Sequence, residues 1–558
     1  TDADVIQDFK DGTDLIGMDS LTYDQLTIAQ GSENYVNMVL VSITSSGEYV
    51  AVVHTQGQNG EETISASDIT ALDFVSTSTA DQTINGTTGN DTLIGGSGDD
   101  TFNASTGTDS VYGHGGNDTI NVNGAGSKVI DGGAGTDSLV IAYSGISNLS
   151  DFSISESGDY TVFTYSNGDT IQFKNVENLT VGSHAYTNDA SADTFWNSSE
   201  YVLYMYSGGN TSSSDITSLS SFSGTANLSV VGSASADTMN INLDRRAGES
   251  NSFSGNWTIN LAAGNDVLNS ARLKNGDSID MGAGDDTVSI MLAGSNGAAT
   301  IANANLAKLD GGAGWDTLNF QESGSSTTAI NFSTANATNF EAIIGTAGNE
   351  TITGDANANF IAGGQYGSSD TANDTLNGAA GDDVLLGSNG CSGCSGDKYT
   401  FVKQYWPYAN NYTTEGTWRN GSSVYLENKG NAILNGGAGN DFLWGAEGED
   451  TLDGGTGQDH LIGGRGIDTF VIRAGDGSTS LTDADVIQDF KDGTDLIGMS
   501  GLQFSDLTIQ QGTGNYSNLV LVLITSTGEY LAVIHTQGQN GEETINSSNI
   551  TDADFSAL

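Results

Sequence analysis

Apolar positions recur along this chain in two rhythms. From Gly86 the sequence reads GTTGNDTLI, GGSGDDTFN, ASTGTDSVY, GHGGNDTIN, one extra residue, NGAGSKVID and GGAGTDSLV, and from Gly436 it reads GGAGNDFLW, GAEGEDTLD, GGTGQDHLI and GGRGIDTFV. One apolar residue stands at position 8 of each nine-residue unit, behind a run of glycine and polar residues. So much glycine excludes a helix, whose interior it destabilises by about 1 kcal/mol per residue. Six turn residues and three strand residues make half a coil of a parallel β-solenoid, and two units close one coil that advances about 4.8 Å. Position 8, as at Leu93, Phe102, Val111 and Ile120, then points inward and stacks on its equivalent one coil away. The second rhythm is strict alternation, at 37–43 and 49–54, with the turn SSGEY between, the pattern of short half-buried strands.

That alternating segment belongs to a larger repeat. Residues 1–77 align without gaps onto 482–558, with 54 of 77 positions identical, including TDADVIQDFKDGTDLIGM and HTQGQNGEETI. Periodicity at two scales sets the expected fold class: all-β, with parallel β-solenoid blocks and small antiparallel β capping modules. The expected order is a capping module at 1–77, a roll block at 78–140, a β region lacking the nonapeptide at 141–258, a degenerate block at 259–319, a roll-like solenoid at 320–387, an aromatic and basic insertion at 388–430, a roll block at 431–471 and the second capping module at 472–558. The stretch 141–258 reads as calcium-free coils or a β-sandwich.

Position 6 carries the candidate chemistry. It is aspartate at Asp91, Asp100, Asp109, Asp118 and Asp137 in the first run and at Asp441, Asp450, Asp459 and Asp468 in the second. Isolated units add Asp266, Asp277, Asp286, Asp316, Asp374 and Asp383. An 18-residue coil stacks Asp91 on Asp109, Asp100 on Asp118, Asp441 on Asp459 and Asp450 on Asp468. Carboxylates about 5 Å apart repel by roughly 1 kcal/mol in water and several times that at a protein surface. A cation between them removes the penalty. Glycines at positions 1, 2 and 4 permit φ > 0 and turn carbonyl oxygens inward, and an all-oxygen cage suits Ca²⁺ better than Mg²⁺, which demands tight octahedral geometry. Lys128, Glu350 and Asn359 replace the aspartate, so these positions end or interrupt the columns, the Lys128 ammonium standing in for a cation.

The run of nonapeptides resembles the calcium-binding repeats of the RTX (repeats in toxin) family of secreted bacterial proteins. The flanking DTFVIRAGDG, ADVIQDFKDGTDLIGM and ITDADF are similar to segments that close RTX blocks, and 339–364 resembles an RTX connecting run. The resemblance implies a parallel β-roll with several bound Ca²⁺, type I secretion and a secreted, extracellular destination at the bacterial cell surface. It also implies folding coupled to export, since each site at 100 times its Kd contributes about 2.7 kcal/mol.

Composition narrows the function. With 15 Lys+Arg against 70 Asp+Glu the formal charge is −55, which excludes a general nucleic-acid binder, because that needs a basic surface to release phosphate counterions. No run of 18 apolar residues predicts a membrane span. HExxH and GxSxG are absent, and the five histidines are scattered, so no enzyme is expected. Cys391 and Cys394 form a lone CxxC without the further ligands a zinc site needs. The insertion 388–430 concentrates aromatics such as Tyr405, Trp406 and Trp418 with Lys398, Lys403, Arg419 and Lys429, a composition suited to sugar or to an acidic neighbouring subunit. The expected function is an extracellular calcium-dependent structural protein whose modules pack head to tail in a filament, surface layer or giant adhesin, with other copies of the same protein as partners. The alternatives are an RTX-type enzyme or cytolysin whose active domain lies outside this chain, and a sugar-binding adhesin with cell-surface glycans as partners.

Overall fold

A computed structural model of the chain describes residues 3–54 (bar 8, 12, 13 and 20), 64–206, 208, 210–211, 227–240, 255–271, 276–292, 308–322, 331–333, 337–364 (bar 347), 372–387, 430–535 and 545–558, with backbone alone at 391–392, 417–418, 422–423 and 425–426. The chain divides into two compact units, Thr1–Gly209 and Asn210–Leu558. The first opens with a small β module, in which Asp4–Ile6 pairs parallel to Tyr49–His54, followed by the antiparallel strands Met38–Ile43 and Leu26–Gln30. Ile16–Met18 pairs parallel to Phe74–Ser76. Val39, Val41, Val53, Ile69 and Phe74 form its core, the first three at alternate positions of the segments in which the sequence alternates.

Two parallel sheets then wind in a roll. Thr92–Ile94, Asp109–Tyr112 and Lys128–Asp131 build one, and Thr83–Asn85, Thr101–Ala104, Thr119–Val122 and Ser138–Ile141 the other. The register is the one the nonapeptide dictates: Leu93 faces Val111, and Phe102 faces Ile120. All four are buried between the sheets. Beyond Ile141 each sheet continues through antiparallel hairpins, Phe152–Ser157 with Tyr160–Tyr165 and Thr170–Lys174 on one side, and Asn178–Val181 through Val202–Met205 on the other. Phe152, Phe163, Phe173, Phe195 and Tyr206 fill the space between with ring centroids 4.7 to 6.5 Å apart.

The second unit winds the same way. Leu228–Val231, Trp257–Asn260, Ser278–Asp280 and Lys308–Asp310 pair in parallel. A second sheet runs from Thr238–Asn240 through Val267–Ala271, Thr287–Leu292, Thr317–Glu322, Ala342–Ile344, Phe360–Ala362, Val384–Leu386 and Phe442–Gly448 to His460–Gly466. A third takes in Thr351–Thr353, Thr375–Ala380, Ile433–Ala438, Thr451–Thr456 and Thr469–Arg473. Winding therefore resumes at 228, inside the stretch in which the sequence displays no nonapeptide. Leu385 pairs with Leu443 and Leu376 with Leu434, so the whole insertion 388–430 leaves from, and returns to, neighbouring coils. Its side chains, including the CxxC, lie outside the described residues. The unit closes with the second module, whose strands Asp485–Ile487 and Leu496–Ser500 extend the last two sheets.

Candidate calcium columns

Every position-6 residue sits at the foot of a strand where the loop enters the roll, and there the sequence makes a ladder. Asp441 accepts the backbone N–H of Asp383 through Oδ1 (2.7 Å) and gives its own N–H to Asp459 Oδ1 (2.8 Å). Asp459 in turn donates to Asp485 Oδ1 (3.1 Å), and Asn359 begins this column by donating to Asp383 (2.7 Å). A second column joins Ala432, Asp450, Asp468 and Asp495, and Glu350 donates to Asp374 (2.9 Å). In the first unit Gln82, Asp100, Asp118, Asp137 and Glu177 follow one another, as do Asp91 and Asp109. Asp237, Asp266, Asp286, Asp316 and Glu341 form another column, and Trp257 donates to Asp277. The stacks expected from the sequence are present with a refinement. An N–H lies between successive carboxylates and satisfies one oxygen of each.

The other oxygen is the informative one. Oδ2 of Asp118, Asp137, Asp266, Asp286, Asp316, Asp383, Asp441, Asp450 and Asp459 is buried with no hydrogen-bond partner among the described residues. A buried ionised carboxylate left in that state costs several kcal/mol. Burial, with repulsion from neighbouring carboxylates, pushes the Asp441 and Asp450 carboxyls up to about 8 and those of Asp118, Asp266, Asp316, Asp383 and Asp468 up to about 7, against the N–H bonds that lower them. Each such oxygen demands either a proton or a cation.

Glycine keeps room beside it. A Cβ on Gly436, at position 1, would collide with Asp441 Oδ2 and with the Gly454 carbonyl of the next coil, and Gly378 and Gly445 stand in the same relation to Asp383 and Asp450. Position 1 is thus glycine for space. Positions 2 and 4 are glycine for conformation, with φ of +116° at Gly437 and +148° at Gly439.

Lys128 supplies a cation of its own. Its ammonium is fully buried, 3.3 Å from Asp109 Oδ2, and donates to the carbonyls of Gly107 (2.7 Å) and Gly126 (3.1 Å), both at position 4. The ammonium thus lies beside the position-6 carboxylate, where the sequence expectation put a cation. Its ligands are one carboxylate oxygen and position-4 carbonyls of adjacent coils. Among the described residues no three acidic or histidine side chains converge on one point, so an ion beside one of these carboxylates would need backbone carbonyls or water to complete its shell. All-oxygen donors on glycine-rich loops fit a hard, large divalent ion. Asp383, Asp441, Asp450, Asp459 and their counterparts would hold it, and the bound ion would supply the charge that the columns lack.

Asp91 accepts the N–H and hydroxyl of Thr87 (2.6 and 3.0 Å), and Asp100 accepts the N–H of Gly96 (2.9 Å), so at the first coils both carboxylates close their own loops. The sequence reading omitted Asp237, Glu177, Glu341, Asp485 and Asp495. Asp237 stands at position 6 of GSASADTMN, where glycine at position 4 is missing, and the others accept from the last rung at spacings of 25 to 40 residues that no fixed period reveals.

No helix among the described residues is long and apolar enough to cross a membrane, which says nothing of a β-barrel. The family model of the RTX calcium-binding nonapeptide repeat matches residues 77–109, 85–120, 341–365, 368–390, 428–461 and 435–470. The coils that carry Asp266, Asp286 and Asp316 lie outside every matched stretch, yet they build the same ladder. No curated protein matches the chain. Among solved structures, the crystal structure of extracellular lipase LipA from Serratia marcescens aligns at 10% identity with a TM-score of 0.19, over 84% of this chain and 40% of its own, so the chain spans less than half of that structure's length. It is the repeats, in sequence and in geometry, that identify this protein as a calcium-binding chain of extracellular type that carries several copies of the RTX nonapeptide and binds several Ca²⁺ through them.

Proposed function

We propose that the chain is a secreted structural protein of the bacterial cell surface, in which calcium-loaded rolls are rod segments and the small β module is the joint between them. One observation carries this reading. The module at the end of unit two terminates a roll, with Leu461 pairing to Ile487 and Phe470 to Ile497. Its near-identical copy in unit one starts a roll. There Ser76 N–H donates to the Gly95 carbonyl (2.9 Å), Asp24 accepts from Thr92 N–H (3.0 Å), and Ile94 joins the module's core. A fold that both receives one roll and launches the next suits modules packed head to tail in a filament, surface layer or giant adhesin. The charge of −55 keeps such units soluble and apart until Ca²⁺ offsets it.

On this reading the chain acts by assembly and carries no catalytic centre. The test is electron microscopy of the purified chain, and of chains carrying further module–roll repeats, in millimolar Ca²⁺ and after chelation. Straight rods that soften or come apart in EGTA are expected, and rods that persist unchanged without calcium would contradict the proposal.

A further inference from the structure

The two copies of the small module share the eighteen residues TDADVIQDFKDGTDLIGM, at 1–18 and 482–499, and yet those residues stand in different surroundings. In the second copy both outer strands are engaged. Asp485–Ile487 pairs parallel to His460–Gly466, and Leu496–Ser500 to Thr469–Arg473. Val486 and Leu496 donate to the carbonyls of Asp459 and Asp468 (2.7 and 2.8 Å), while Asp485 and Asp495 accept the N–H groups of the same two residues (both 3.1 Å). Asp489 accepts from Gly463 and Gly464 (2.9 and 2.8 Å). Asp485 and Gln488 are buried there, 2% and 6% exposed.

In the first copy, among the described residues, Asp4–Ile6 is paired only with Tyr49–His54, and Ile16–Met18 only with Phe74–Ser76. Among the described residues no strand pairs with the opposite edge of either. Asp4, Gln7 and Asp14 are exposed, as are Val5 (55%) and Leu15 (51%). An open strand edge that carries apolar side chains is one that folded proteins normally cover or blunt. The second of these edges keeps the preparation for pairing that its counterpart uses, since Asp14 Oδ2 is held by the Lys10 N–H (2.8 Å) as Asp495 Oδ2 is by Lys491 N–H (2.7 Å).

We propose that the edges Asp4–Ile6 and Ile16–Met18 form an acceptor site for the closing coil of another nonapeptide roll, taken up in the register seen at 460–473. The partner's chemistry is specific. It presents two parallel strand edges side by side, each entered through a GGxGxD loop whose position-6 N–H meets Asp4 on one edge and Asp14 on the other. A second copy of this chain in its folded form does not offer that surface, because its own second module covers it. The occupant is therefore a roll whose closing coil stands open to the module. The inference rests on the module being a joint and names what the joint takes.

Shared sequence makes the test sharp. Residues 1–481 are placed ahead of the complete chain, so that a roll runs through its natural 474–481 segment into an internal copy of the first module. Amide hydrogen exchange in millimolar Ca²⁺ is then followed on a peptide from within TDADVIQDFKDGTDLIGM, which occurs twice in the chain and three times in the fusion. In the chain itself one half of this peptide should exchange slowly. In the fusion the slow fraction should rise to about two thirds, and a fall to about one third would overturn the proposal. A cysteine at Gln7 of the internal copy gives a second readout, with maleimide labelling at least about tenfold slower than for the same Gln7→Cys in the single chain, and equal rates would count against the site. Failure here leaves the structural reading standing if the fusion still forms calcium-dependent rods. A fusion protected at this peptide, but with rods indifferent to EGTA, would instead defeat the structural reading alone.

Discussion

Replacing Lys128 with methionine keeps the aliphatic stem and removes the ammonium from between two coils. The perturbation is confined, because Lys128 and Asp109 are both fully buried and the Nζ–Oδ2 separation is 3.3 Å. At an effective dielectric of about 20 such a pair attracts by about 5 kcal/mol. The variant leaves the Asp109 carboxylate buried without its counter-charge and releases the Gly107 and Gly126 carbonyls, and removing one partner of a buried pair costs about 3–5 kcal/mol. Hydrogen exchange of the amides in 101–131, measured against urea in calcium-saturated buffer, should report a loss of that size. The double variant Lys128→Met with Asp109→Asn should recover most of it, because replacing both charges by neutral groups is far less damaging than stranding one. A loss below about 1 kcal/mol in the single variant, or no recovery in the double, would refute the reasoning that this ammonium does the work of a cation.

Other outcomes follow from the same geometry. Lys128→Asp places an aspartate at position 6 of NGAGSKVID, and metal analysis should count one more Ca²⁺ per chain. Gly436→Ala puts a methyl group where Asp441 Oδ2 and the Gly454 carbonyl approach, so calcium titration should lose at least one site or show its half-saturation raised about tenfold or more. The pH dependence has a definite sign. Folding raises the carboxyls of Asp383, Asp441, Asp450 and Asp468 from about 3.8 to about 7–8, so the calcium-free fold binds more protons than the unfolded chain in that window. Without Ca²⁺, stability should be greatest near pH 4 and fall as pH rises through 7–8, by chemical denaturation. Calcium affinity should rise over the same range as protons leave, and a calcium-free stability that increases from pH 4 to 8 would contradict the assignment.

Much of the roll was legible because its local and long-range orders coincide. A nine-residue unit fixes position 8 as core and position 6 as rung, so Leu93 over Val111 and Asp100 over Asp118 follow from counting. Counting fails where coils carry insertions. Asp383 meets Asp441 across 58 residues, and Asp286 meets Asp316 across 30, because extra residues enter between strands whose register is kept. The hairpins at 152–205 were equally hidden, because alternation identifies strands without saying whether the next one runs parallel or antiparallel. The N–H between successive carboxylates was not foreseeable from residue identity either. It comes from the backbone at position 6, which every residue type possesses, and so Ala432 and Trp257 donate as well as any aspartate.

On the present assignment one buried carboxylate oxygen per rung, with glycine carbonyls, would hold a calcium ion. Anomalous diffraction from crystals grown in Ca²⁺ tests it most directly. Peaks are predicted beside Oδ2 of Asp118, Asp383, Asp441, Asp450 and Asp459, with none beside Asp109, where the Lys128 ammonium already sits. Columns without peaks, or a peak at Asp109 equal to the others, would contradict the account.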